Sequence, residues 1–302
     1  MADADGGSIK KPVTANEFVE QQLHVGLSAI EAAFSCHALS FSGPLLSGVD
    51  DILRSTIEKK CNQQASPRKL VVLLTTSGGY LEPVQRMVAT LRKHYRVVDF
   101  VIPNYAYSAG TLFALSGDAI HMDYYSRLGP IDPQLKSTKG RMVSALGHLE
   151  KYNELIAKAQ NGTISAAEVQ LLIEGFDQAE LYNIEQAREL SIAALEEWLV
   201  KYKFKNWKKT ETRKLTVTSQ MKKEQASWIG KQLNDTKRWH SHGYGISMEV
   251  LRKDLKLTID DFGENPKVSA AVRSYHDLLA DYMAKRGTDG VVHICGAYRP
   301  FM

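Results

Sequence analysis

The 302-residue chain is 44% hydrophobic and 24% charged, an ordinary globular balance that predicts a sizeable core. Its formal net charge of +4 is too small to argue for nucleic acid or an anionic membrane surface. Three widely spaced cysteines, Cys36, Cys61 and Cys295, supply neither a disulfide framework nor a CxxC metal pair. The first residues, MADADGGSIKKPVTANEF, lack the apolar segment of a signal peptide. No window offers the roughly 18 continuous apolar residues of a membrane span. The expectation is a soluble, cytoplasmic protein with no metal, cofactor, nucleic acid or membrane partner.

Residues 1–13 read as a mobile tail. Thr14-Ala-Asn-Glu17 is a capping box that opens a first helix running to about Phe34. A short strand follows from His37 to Phe41, then a helix to about Cys61. The clearest segment is Lys69 to Thr75 (KLVVLLT), a continuous apolar run of the kind buried on both faces of a parallel sheet. Ser77-Gly78-Gly79 comes next, then a helix over 82–95. A third strand, Val97 to Pro103, leads into NYAYSAGTLFAL with Ser108 at its centre. A fourth strand over 119–123 precedes the loop SRLGPIDPQ. Strand, helix and strand in alternation predict βαβ units around a parallel sheet.

Beyond residue 140 the pattern turns helical. Ser165-Ala-Ala-Glu168 is a second capping box, and a long helical stripe reaches Phe204, with a break at most near Gly175. Further helices are predicted at 218–233, 247–256 and 267–285. VVHICGAYRPF at the end reads as a strand for the sheet edge or for a neighbouring subunit. The organisation read from this is a tail and helix start over 1–27, an α/β core over 28–160, and a helical region over 161–302. The helical region either packs on the core or serves in assembly.

Two turns carry the chemistry. Glycines at 78 and 79, at the carboxyl end of a buried strand, let backbone approach a ligand and leave N–H groups free for an anion. The Ser108-Ala109-Gly110 turn ends the next strand unit. Ligands of open α/β sheets gather at those ends, so a hydroxyl there would face a set of N–H donors, as acyl transfer requires. Read alone, each turn is equally a strand-to-helix connection, and Ser108 is equally a helix cap.

TTSGG, PNYAYSAGT and SRLGPIDPQ, with DQAELYNIEQAREL and RWHSHGYGISMEVL further on, resemble the serine dehydrogenase proteinase family. That family belongs to the Clp protease/crotonase superfamily and is related to signal peptide peptidase A. The resemblance implies a spiral of ββα units with a parallel sheet and a helical C-terminal region. It implies Ser108 as nucleophile, with N–H groups of Gly78 or Gly79 and of Ala109 as the oxyanion hole. It further implies homo-oligomers acting on peptides or proteins, with a regulatory partner protein as an option.

The base is where the pattern departs. Clp-type proteases place a histidine where this chain has Asp132, between Pro130 and Pro133, so Asp132 is read as an orienting acid or a turn residue. Lysine bases of the archaeal relatives suggest Lys151, which has acidic neighbours at Glu150 and Glu154. His242, two residues beyond His240 in RWHSHG, is the alternative base, and His121 lies on a packed strand. The function read from the sequence is a serine hydrolase, a peptidase with a Lys or His base. The missing base keeps a catalytically inactive, peptide-binding scaffold as the alternative. A crotonase-like enzyme acting on acyl-thioesters ranks last, because no carboxylate pair is placed for enolate chemistry. KYKFKNWKK (201–209) reads as a solvated basic face at a helix end.

Overall fold

The computed structural model describes residues 14–63, 68–136, 140, 142–210 and 212–301, so the tail over 1–13 lies outside the described residues. In chain order the α/β part runs α1 (Ala15–Phe34), β1 (His37–Ser42), α2 (Val49–Gln63), β2 (Lys69–Thr75), α3 (Leu81–His94) and β3 (Val97–Val101). It continues with β4 (Tyr105–Ala106), α4 (Ala109–Leu115), β5 (Ala119–Met122) and β6 (Arg127–Leu128). A hairpin of β7 (Gln134–Lys136) and β8 (Met142–Ser144) leads to α5 (Ala145–Gln160), α6 (Ala166–Glu174) and α7 (Gln178–Trp198). Then come α8 (Ser219–Leu233), α9 (Thr236–Trp239), β9 (Ile246–Ser247), α10 (Met248–Lys253), β10 (Asp260–Asp261), α11 (Pro266–Arg286), β11 (Gly290–Ile294) and β12 (Ala297–Phe301).

The main sheet has the order β10-β5-β3-β2-β1-β11-β12, parallel from β10 to β1 and antiparallel at β11 and β12. The apolar run of β2 explains itself here. Leu70, Val72 and Leu74 join the core under α2, α3 and α4, while Val71 and Leu73 join the core under α1 and α11. Successive side chains of a strand point to opposite faces, so a strand covered on both sides must be apolar at every position.

A second, smaller ladder stands at the carboxyl ends of the main strands. β4 pairs in parallel with β6, and β6 pairs antiparallel with β9. Single bridges Leu45↔Gly79 and Thr76↔Ala106 extend it. β1, β2 and β3 are each followed by a short stretch in this ladder and then by a helix. This is the spiral of ββα units that the sequence predicts.

The helices form largely where their caps stand. Thr14 and Glu17 cap α1 reciprocally, Ser165 and Glu168 cap α6, and Asn265 with Pro266 opens α11. The long stripe read over 165–204 is two helices and a π-helical turn at Leu199–Lys203. Gly175 closes α6, and the Asp177 carboxylate caps α7 through the Ala179 and Glu180 N–H groups at 2.7 and 3.1 Å. α6 buries no residue and leaves Ile173 74% exposed. The strand read over 119–123 ends at Met122, because Asp123 turns to accept from the Tyr125 and Ser126 N–H groups. The terminal strand is a hairpin, β11 with β12, and it joins the main sheet of its own chain beside β1. Among the described residues no helix is long and apolar enough to cross a membrane.

β11 also closes a buried polar chain. His293 is fully buried, with the Tyr275 hydroxyl 2.7 Å from Nδ1 and His24 Nδ1 2.7 Å from Nε2. Burial, and then the neighbouring His24 ring, push His293 down to about 3. Its folded value lies below the unfolded one, so an unfolded chain takes up the proton first as the pH falls. The stability contributed by neutral His293 is therefore complete above about pH 6.5 and is lost towards about pH 3. Urea unfolding across this range should show stability falling by up to about 1.4 kcal/mol per pH unit from this group. His293→Gln should flatten that limb, and an unchanged pH slope would contradict the assignment.

Candidate active site

Two strand ends are pressed together at the carboxyl edge of the sheet. The Thr76 N–H donates to Tyr105 O at 3.1 Å, and the Tyr107 N–H donates to Thr76 O at 3.0 Å. Nothing larger than hydrogen fits between them at Gly78. A Cβ there would stand 2.7 Å from Ser108 Cβ and from Tyr107 O, and the residue has φ +102°. At Gly79, with φ +148°, a Cβ would stand 2.2 Å from Leu45 O. These are the backbone demands that make both positions glycine.

Ser108 caps no backbone group with its side chain. It precedes α4 with φ +54° and ψ −122°, a conformation that a residue with a side chain adopts only at a cost of about 1–3 kcal/mol. The strain presents Oγ at the strand-to-helix turn. Thr111 braces the turn from behind: its buried hydroxyl lies 2.8 Å from Ala106 O and 2.9 Å from both Gly129 O and Gly129 N. Neither Thr76 nor Thr111 stands out in the sequence, since each reads as an ordinary core threonine.

Ser108 opens onto a cavity of about 450 Å³. Ser77, Gly79, Ala109, Asp132 and His242 also line it, and α7 closes one wall through Ala187, Leu190 and Ser191. Leu46, Leu81, Leu112 and Ile131 make the rest of its apolar lining. The Gly78 N–H is already engaged, donating to Thr76 Oγ1 at 3.0 Å. Among the described residues, no acceptor is paired with the N–H of Gly79 or of Ala109.

Asp132 and His242 meet across this cavity. His242 Nδ1 lies 2.8 Å from Asp132 Oδ1, although 110 residues separate them in sequence. The Asp132 side chain is 4% exposed and that of His242 is 16% exposed. A short strand pairing brings the two segments side by side. β6 and β9 pair antiparallel with Arg127 opposite Ser247 and Leu128 opposite Ile246. The flanks are pinned independently. The Ile131 N–H donates to Leu233 O at 3.0 Å, and the Trp239 indole donates to Gln232 O at 2.7 Å. Tyr244 packs on the Trp239 ring.

The other candidates stand elsewhere. Lys151 is half-exposed on α5, its Nζ 3.0 Å from Glu154 Oε2, and it does not line the cavity. His240 is an exposed residue in the left-handed region at the end of α9. His121 sits on β5 between Asp99 and Asp260 at 3.7 and 3.8 Å, and is absent from the cavity lining. Among the described residues no cluster of three His, Cys, Asp or Glu side chains could hold a metal ion. The 201–209 stretch exposes Lys201, Lys205, Lys208 and Lys209, as a solvated basic face does, and packs its aromatic residues inward. Phe204 is buried, Trp207 lies against the core, and Lys205 pairs with Asp118.

If Ser108 is strained as its dihedrals state, Ser108→Gly should stabilise the fold by about 1 kcal/mol, whereas Ser108→Ala should not. Thermal unfolding of both variants checks this. A glycine variant that melts below the alanine variant would show that the turn carries no strain.

With the geometry in place, the chain can be compared with known proteins. Residues 48–170 match the model of a family described as ClpP-like SDH-type serine proteinase. Two uncharacterized proteins of Methanocaldococcus jannaschii are 39% and 36% identical over 64 residues, which is 21% of this chain and 22% of each relative. The match thus spans about a fifth of the length of these curated relatives. Among solved structures, a mutant of the 1510-N membrane-bound stomatin-specific protease in complex with a substrate peptide aligns at 15% identity and a TM-score of 0.43. That alignment covers 74% of this chain and 73% of the other. ClpP1 from Listeria monocytogenes aligns at 11% identity and a TM-score of 0.41, covering 80% of this chain and 95% of that one. Over residues 48–170, which include Gly78, Gly79, Ser108 and Asp132, the chain is matched to the ClpP-like SDH-type serine proteinases, the family that its motifs resemble.

Proposed function

We propose that the protein is a serine peptidase whose nucleophile is Ser108, whose base is His242 and whose positioning carboxylate is Asp132. The observation that carries the reading is the Asp132–His242 contact on the wall of the cavity that Ser108 opens onto. An aspartate on Nδ1 selects the tautomer that leaves Nε2 free to accept a proton. His242 then takes the Ser108 proton as Oγ attacks the scissile carbonyl, and returns it to the leaving amine. Asp132 stays ionised and stabilises the imidazolium formed between those steps. Water repeats the sequence on the acyl-enzyme.

The oxyanion of each tetrahedral intermediate would sit on the N–H groups of Gly79 and Ala109. Both line the cavity and neither donates elsewhere among the described residues. Gly78 contributes differently, since its N–H is held by Thr76 and its missing side chain lets the two turns touch. Lys151 has no part in this scheme, because its ammonium is held by Glu154 on a solvated helix. The apolar cavity walls suit a peptide side chain. The uncovered α6 face is a suitable surface for the homo-oligomer expected from the sequence.

A fluorophosphonate probe should label the wild-type chain at Ser108 and leave Ser108→Ala unlabelled. His242→Ala should slow labelling by about a thousandfold, and Lys151→Ala should leave it within about twofold. Equal labelling of wild type and Ser108→Ala would reject the nucleophile. Loss of labelling in Lys151→Ala with retention in His242→Ala would move the base to the lysine.

A further inference from the structure

A second site lies at the opposite, amino end of the parallel sheet. The π-helical turn that follows α7 carries Lys203 into a cavity of about 670 Å³, which reaches Asp118 and Ala119 at the start of β5 and Asp260 on β10. Phe204 and Trp207 give the cavity apolar aromatic walls, and Lys209 and Lys256 line it as well. Turns of π-helix inside an α-helical segment are rare, and they recur where a side chain must be aimed at a site.

The charges here are unevenly matched. Asp118 is bound by Arg92 and Lys205, and Asp99 behind the cavity is bound by Lys69. Among the described residues no carboxylate comes within ion-pairing distance of Lys203, Lys209 or Lys256. Lys203 is half-buried, while Lys209 and Lys256 are exposed at the rim. An unpaired amine in a desolvated, aromatic-walled cavity is disposed to lose its proton and act as a nucleophile. The two rim lysines keep theirs and attract an anion.

We propose that Lys203 is a carbonyl-reactive amine, and that its cavity takes small aldehydes carrying a phosphate or carboxylate group. The Nζ lone pair attacks the carbonyl carbon, and the carbonyl oxygen gains a proton as the nitrogen loses one. The carbinolamine then expels water to leave a C=N bond, and hydrolysis reverses the step without oxidant or reductant. Lys209 and Lys256 hold the anionic group.

The charge environment agrees with this chemistry. Burial is the largest influence and holds Lys203 down at about 8, against the opposing pull of Asp260, Asp99 and Asp118. Lys69 and His121 face Asp99, and His121 also faces Asp260, so neither carboxylate is left to Lys203 alone.

Pyridoxal 5′-phosphate followed by borohydride is the probe, with the modified peptides mapped by mass spectrometry. One equivalent should attach at Lys203, at least about tenfold faster than at the exposed Lys223, with a pH midpoint near 8. Lys203→Met, with its fold verified by circular dichroism, should lose that label. The double variant Lys209→Met with Lys256→Met should weaken labelling by the phosphate-bearing aldehyde but not by propionaldehyde. Labelling spread over surface lysines, with Lys203 no faster than Lys223, would overturn the reactive amine. Equal loss for both aldehydes in the double variant would overturn the anion subsite. Ser108→Ala should label like wild type, so this site stands or falls separately from the peptidase reading.

Discussion

The contact between the Gly78 turn and the Ser108 turn is the constraint on which the rest of the site depends. Two backbones bridge through Thr76 at a separation that excludes a Cβ at Gly78. That closeness holds Ser108 at a positive φ against its own preference, and it keeps the Gly79 and Ala109 N–H groups on the wall of one cavity. The two effects cannot be separated. A looser junction would relax the serine and open the space between the donors. A buried sheet apolar on both faces can hold such a junction, because burial of β2 and β3 fixes where both turns begin.

The histidine reaches this junction by an independent route. Strand pairing over two residues, β6 with β9, brings their segments together, and the Asp132 and His242 side chains then meet at 2.8 Å. So short a ladder holds little energy of its own. Its precision comes from the anchors at either flank, Ile131 on Leu233 O and the Trp239 indole on Gln232 O. The helical region is therefore a structural part of the cavity: α7 walls it, α8 anchors its loop, and the segment between α9 and β9 supplies the imidazole.

This division also explains what could be read from the chain. Local signals were strong where a single segment decides its own structure. Capping boxes at Thr14 and Ser165, the apolar run of β2, and the Gly and Ser turns each state their case within a few residues. Asp177, whose carboxylate caps α7, splits a stripe that reads as one helix in the sequence. What escaped was long-range. No local pattern tells that Arg127–Leu128 in SRLGPIDPQ and Ile246–Ser247 after RWHSHG would pair, since the antiparallel step involves only two residues on each side. Lys151 drew notice through its spacing from Ser108, but spacing along a chain says nothing about which way a helix faces.

The two ends of the parallel sheet call for different chemistry for the same physical reason. At the carboxyl end, strand-to-helix turns expose N–H groups and helix starts, so developing negative charge is accommodated by the backbone. At the amino end single strand N–H groups serve instead, Val98 to Asp118 and Ala119 to Asp99, and side chains carry the rest of the charge. The carboxylates Asp99, Asp118 and Asp260 collect there with Lys69, Arg92 and Lys205. All six have a partner within ion-pairing distance, Asp260 through His121. Lys203, which lines a cavity with Asp118 and Asp260, has no carboxylate within that distance among the described residues. An ammonium left so placed opposes the fold as long as it holds its proton, which is the physical ground for expecting that it gives the proton up.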